Sequence, residues 1–276
     1  MTHTHLKIIA SLLLLLLGCA PSLQAKLIKV LAIGNSFSQD AVEEHLYQLA
    51  AAQGDSLVIG NAYIPGCSID RHWNNAQKGT PDYSYRKIIG GKRTERKKVA
   101  LEEMIRDEAW DIITLQQASH YSGMVETYGH LGDLLDYVKH CATGKDVKIA
   151  FHMTWAYQQD SSHKGFKQYG NDQHQMYRAI CQAVKQATTT HHIRKIIPAG
   201  VTIQYARAAL SDTLTRDGYH LAIPTGRYAA ACTWCRCLTG KKLRKNTYLP
   251  AGMTAETARI IRRAADEAVS DSKKIF

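Results

Sequence analysis

Beyond its first 25 residues the chain has no apolar stretch long enough to cross a bilayer, no second CxxC or HxxxH pair, and no internal repeat, low-complexity tract or linker. A spanning helix needs about 20 consecutive apolar residues, so the body of the chain offers no transmembrane anchor. A structural zinc takes four ligands, which the cluster Cys232, Cys235 and Cys237 (CTWCRC) does not supply by itself. These cysteines read as buried helix packing, and no metal or other cofactor is expected. Without a linker or repeat, residues 26–276 read as one domain of ordinary hydrophobic content, 45%. Acidic residues are also short: 24 Asp and Glu face 35 Lys and Arg, a formal net charge of +11. Such an excess suits nucleic acid, an anionic surface or a polyanionic substrate. The most concentrated basic run, Lys92, Arg93, Arg96, Lys97 and Lys98, reads as a solvated loop leading into a helix.

The N-terminus carries Lys7, an apolar run from Ile8 to Leu17, and small or turn-forming residues from Gly18 to Ala25. This is the pattern of a signal peptide over residues 1–25. Two processing sites compete: Leu16, Leu17, Gly18 and Cys19 resemble a lipobox, while Leu23, Gln24 and Ala25 fit an ordinary small-residue cleavage site. Lipidation of Cys19 tethers the protein to a membrane; the other cleavage leaves it soluble in the periplasm or outside. Export disfavours nucleic acid as a partner. It also puts Cys67, Cys141, Cys181, Cys232, Cys235 and Cys237 in an oxidising compartment, where one or two disulfides could form with partners that the sequence does not assign.

Periodicity predicts strands at Lys26–Gly34, Ser56–Ala62, Trp110–Leu115, Val147–Met153 and Arg194–Ile197. Helices are expected near 40–53, 94–108, 125–142, 171–189, 224–238 and 254–268, and residues 68–91 read as an irregular insertion. Strands separated by helices require parallel pairing, because parallel neighbours need a helical crossover. The fold class is therefore α/β, a three-layer α/β/α sandwich around a central parallel sheet of about five strands.

In such sheets functional groups gather outside the carboxyl ends of the strands. The first strand runs into GNSFS (Gly34–Ser38), which sets Ser36 at a helix start; taken alone, this serine could be a simple N-cap. The second ends in YIPGCS, where Gly66 can bring a bare N–H near a reacting oxygen. The third ends in LQQAS, placing Gln116 and Gln117 at the same rim as amide donors or helix caps. The segment TRDGYHL holds Asp217 and His220 three residues apart, a spacing that lets a carboxylate orient an imidazole base. Trp73, Trp155 and Tyr157 are candidate substrate-binding aromatics, with His72 and His152 beside them; His45, His130 and His163 are given no role.

Taken together, GNSFS, Gly66, LQQ and the DxxH loop resemble the ordered blocks of the SGNH/GDSL hydrolase superfamily, over residues from about Val30 to His220. The strings AIGNSFSQDA, LQQAS, HMTWAYQ and TRDGYHL resemble a branch of exported bacterial proteins described mainly as a domain of unknown function. The resemblance implies a flavodoxin-like SGNH fold, Ser36 as nucleophile, Asp217 as orienter and His220 as base. It also implies an oxyanion hole from the N–H groups of Ser36 and Gly66 with a third donor. Two positions depart from the pattern. Asn35 stands where many members carry aspartate, and the third block lacks the usual asparagine, so Gln116 or alternatively Gln117 takes that role.

The expected function is hydrolysis of an O-acyl ester, acetyl above all, on a carbohydrate, through an acyl-Ser36 intermediate. A methyl ester of an acidic polysaccharide would also account for the basic charge. Two alternatives use the same scaffold: a non-catalytic carbohydrate-binding protein, and an acyltransferase acting on a sugar hydroxyl.

Overall fold

The computed structural model describes residues 25–276; the signal-peptide reading and Cys19 fall outside them, apart from Ala25. The chain runs β1 (Leu27–Gly34), α1 (Ser36–Val42), α2 (Leu46–Ala51), β2 (Ser56–Tyr63), α3 (Ile69–Lys78), β3 (Tyr83–Ile89), β4 (Lys92–Val99), α4 (Leu101–Arg106) and β5 (Ile112–Leu115). It continues through α5 (Leu131–Cys141), β6 (Lys148–His152), α6 (Gln173–Thr190), β7 (Lys195–Ile197), α7 (Ala199–Leu210), α8 (Thr225–Thr239) and α9 (Ala255–Ile275).

The sheet order is β4-β3-β2-β1-β5-β6-β7. From β2 to β7 every neighbouring pair is parallel, and these five strands are the expected core of a three-layer α/β/α sandwich. Helices α1, α2, α7, α8 and α9 pack together on one face, and α3, α4, α5 and α6 cover the other. Strand β1 is apolar and buried from Val30 onward because both of its faces are covered. The chain leaves β1 first for β2 on one side and later for β5 on the other. That reversal opens a crevice at the carboxyl end of β1.

Several expectations change. Residues 68–91 are not irregular: Ser68 accepts the Arg71 N–H to cap α3, Gly79 closes the helix in the left-handed conformation, and β3 follows. The helix expected at 94–108 is instead the edge strand β4 followed by the short α4. The apolar spacing that suggested a long helix begins only at Leu101, with Met104 and Ile105. Upstream, β3 supplies a pairing edge through Tyr83–Ile89, and β4 completes an antiparallel hairpin against it. Charged side chains on the outermost strand suit an edge that must not recruit another sheet. The helix expected near 40–53 is broken into α1 and α2, and α7 joins the fold unannounced. The CTWCRC cluster lies in α8, with Cys232 and Cys235 buried, and the six described cysteines are all unpaired.

Candidate active site

Asn35 ends the turn after β1 and caps α1 by accepting the Phe37 N–H on its Oδ1 at 3.0 Å. Ser36 is therefore the first residue of α1, where a backbone N–H has no partner within the helix. On the loop between α7 and α8, His220 turns its Nε2 to 2.9 Å from Ser36 Oγ and its Nδ1 to 2.7 Å from Asp217 Oδ2. The other carboxylate oxygen, Oδ1, accepts the backbone N–H of His220 at 2.7 Å and of Tyr219 at 3.2 Å. Partial burial pulls the Asp217 carboxyl upward, but these hydrogen bonds outweigh it and hold its pKa below the ordinary value. An ionised Asp217 accepts Nδ1–H and so leaves Nε2 free to accept the Ser36 proton.

The loop is fixed from several sides. Gly218 adopts φ +88°, and a Cβ there would meet Ser161 Oγ at 2.9 Å, so DGYH needs its glycine. Trp155 stacks on Phe37 with centroids 4.2 Å apart and donates its Nε1–H to the Tyr219 carbonyl at 2.8 Å. Such an aromatic pair adds about 1 kcal/mol beyond its buried area. Asp40, one turn after Ser36 and 1% exposed, accepts the Leu221 N–H at 2.8 Å and pairs with Arg227 at 2.7 Å and Arg216 at 3.2 Å. Nothing in the sequence beyond its place in α1 marks Asp40 for this task.

A cleft of about 530 Å3 opens over Ser36, Gly66 and His220. Gly66 has φ +60°, and a Cβ built on it would meet nothing within 4 Å. The cleft walls carry Tyr63, Ser119, His120, His163, Lys164 and Tyr219. His163 was given no role from the sequence, yet its ring meets Tyr219 edge-on at 4.7 Å and its Nδ1 accepts the Gly165 N–H at 3.0 Å. Burial, reinforced by His220, lowers its pKa, and burial beside His163 lowers that of His120. Both rings are thus biased toward their neutral forms. Their placement after strands β6 and β5 was the available clue; the loops carrying them had no regular pattern.

The candidate oxyanion glutamines are placed differently from expectation. Gln116 donates from Nε2 to Asn35 Oδ1 at 2.8 Å, and its Oε1 bonds His152 Nδ1 at 2.8 Å. Gln117 turns away: its Oε1 accepts the N–H groups of Ile69 and Ala118, and its Nε2 reaches the Thr127 carbonyl. Neither lines the cleft. Gln116 braces the residue before the serine, whereas Gln117 ties the start of α3 to the loop after β5. Of the residues expected to form the oxyanion hole, Ser36 and Gly66 line the cleft.

The three candidate substrate aromatics also lie off the cleft surface. Trp155 and Tyr157 are fully buried, because the loop of His220 and the residues around His163 cover them. The Tyr157 hydroxyl lies 2.8 Å from Oγ of Ser119, which does line the cleft. Trp73, on α3, stacks against His130 at 6.3 Å.

The profile of the DUF4886 family, a domain of unknown function, matches residues 29–268. Among solved structures, a DUF4886 protein from Bacteroides uniformis superposes with TM-score 0.87 at 44% identity, covering 88% of this chain and 95% of that one. More distant folds include a protein assigned to the SGNH hydrolases from Slackia heliotrinireducens, with TM-score 0.50, 17% identity and coverage of 76% and 98%. Another is a protein assigned as a GDSL-like lipase from Parabacteroides merdae, with TM-score 0.52, 14% identity and coverage of 80% and 100%. No curated protein matches the chain.

Proposed function

This chain belongs to the DUF4886 family on an SGNH-hydrolase scaffold, and from that premise we propose that it is a serine esterase. The observation that carries the reading is the continuous chain Ser36 Oγ, His220 Nε2, His220 Nδ1 and Asp217 Oδ2, with contacts of 2.9 and 2.7 Å, at the floor of an open cleft. A serine hydroxyl becomes an effective nucleophile when an oriented base takes its proton as it attacks.

In this mechanism Ser36 Oγ adds to the acyl carbon while its proton moves to His220 Nε2. The imidazolium is stabilised by Asp217. Negative charge on the former carbonyl oxygen is met by the N–H groups of Ser36 and Gly66, aided by the positive end of α1. Collapse expels the alcohol, which takes the proton back from His220. Water then enters, gives a proton to His220, and attacks the acyl-serine; return of that proton frees Ser36 and releases the acid.

The cleft supports a small acyl group on a polar alcohol, the O-acetyl ester of a sugar. Its side-chain walls are phenol, imidazole, hydroxyl, carboxamide and ammonium groups, with Pro65 the aliphatic exception. Phenol and imidazole rings offer both hydrogen bonds and flat faces to a sugar ring. The apolar leader over residues 1–25 supports an exported enzyme, where such esters are met. The test is hydrolysis of p-nitrophenyl acetate and of acetylated xylan, compared with Ser36→Ala. Acetate release by the wild type alone supports the reading, and equal release by both proteins refutes it.

A further inference from the structure

The edge strand β4 carries five cations, Lys92, Arg93, Arg96, Lys97 and Lys98, and a single carboxylate, Glu95. Arg93 and Arg86 share Glu95 and the half-buried Glu43. Among the described residues no carboxylate lies within ion-pair distance of Lys92, Arg96, Lys97 or Lys98, and all four are exposed. Three of these four stand at one end of the strand.

That end is the end of the cleft. Tyr63, which lines the cleft, pairs in register with Ser84 of β3, and Ser84 pairs with Lys97 of β4. Lys97 is thus two strand spacings, about 10 Å, from the cleft wall. Arg96 lies in the next row, opposite Tyr85, with its guanidinium 5.4 Å from that ring and on the other face of the sheet from Lys97. Lys98 occupies the register shift between the rows of Tyr83 and Ser84, in the left-handed conformation with φ +55°. Bulges of this kind re-aim a side chain. Edge protection calls for charge along the strand, but not for its concentration, without ion-pair partners, beside the cleft.

We infer that Lys97 and Lys98, with the charge of Arg96 behind them on the other face of the strand, form a subsite for an anionic polysaccharide, holding a carboxylate of the polymer while a neighbouring ester enters the cleft. The inference deepens the esterase reading, but the binding it describes is tested without turnover. Clustered like charges raise the local concentration of a polyanion, and salt screens the attraction over about 10 Å at 0.1 M.

Polygalacturonate cast into a native gel is the probe, with a xylan gel as the neutral control. The wild-type chain should be retarded by polygalacturonate and not by xylan, and R96Q/K97Q/K98Q should lose most of that retardation. K242Q/R244Q/K245Q, which removes the same charge from the α8–α9 connection, should keep it. Wild type that migrates freely in polygalacturonate, or equal losses in both triple variants, overturns the subsite. On acetylated polygalacturonate, R96Q/K97Q/K98Q should raise KM about tenfold at low salt, with p-nitrophenyl acetate hydrolysis unchanged. An unchanged KM also overturns it. A wild type without esterase activity defeats the esterase reading alone, and the gels then decide the subsite.

Discussion

Asp40 accepts the backbone N–H of Leu221 at 2.8 Å, which ties the helix of the nucleophile to the residue following the base. Arg216, held by the same carboxylate, donates its own N–H to the His220 carbonyl at 2.9 Å. One buried carboxylate therefore helps to set the separation between Ser36 and His220, together with Trp155 between Phe37 and Tyr219.

Asp40→Asn keeps an acceptor for Leu221 but removes the charge that neutralises Arg216 and Arg227. Breaking a buried ion pair from one side costs about 3–5 kcal/mol, and some loss of thermal stability is expected. A positioning role predicts more: in the folded variant, kcat falls at least about tenfold while KM stays within about twofold. Normal kcat in a folded Asp40→Asn protein would count against this role.

Gln116 and Gln117 separate by the size of their effects. Removing a direct oxyanion donor costs about 10²–10³ in kcat. Acting through Asn35 instead, Gln116→Ala is expected to lower kcat about tenfold. Gln117→Ala, which frees the N–H groups of Ile69 and Ala118, should lower the unfolding midpoint with kcat nearly intact. A thousandfold fall for Gln116→Ala would return it to the oxyanion hole.

Two fully buried histidines, His72 and His152, set the acid limit of stability. Burial lowers the pKa of each to about 3. The unfolded chain, with histidine near 6.5, takes up these protons first as pH falls, so stability declines from about pH 6.5 toward pH 3. At pH 5 each histidine should cost about 2 kcal/mol relative to pH 7. Urea unfolding at the two pH values checks this. A flat profile would mean that one or both rings protonate in the folded state without penalty.

Much of this site could be read before the fold was known, because Ser36, Gly66 and His220 follow glycine-marked turns or strand ends that the period of two reveals. The parallel core was readable for the same reason. What stayed hidden depends on direction in space. Trp155 and Tyr157 follow β6 as aromatics flanking a cleft would, but their rings turn inward under Phe37 and Tyr219. Asp40 is one of many acidic residues on a helix until α8 brings Arg227 against it. The β3–β4 hairpin was obscured because β4 buries almost nothing, and an exposed charged edge shows no alternation.

The most direct test of the account is intact-mass spectrometry after treatment with a fluorophosphonate, on the wild type and on Ser36→Ala and His220→Ala. The account predicts one adduct on the wild type, none on Ser36→Ala, and labelling slowed by orders of magnitude on His220→Ala. An adduct of equal yield on Ser36→Ala, or no adduct on the folded wild type, would contradict an activated serine at this position.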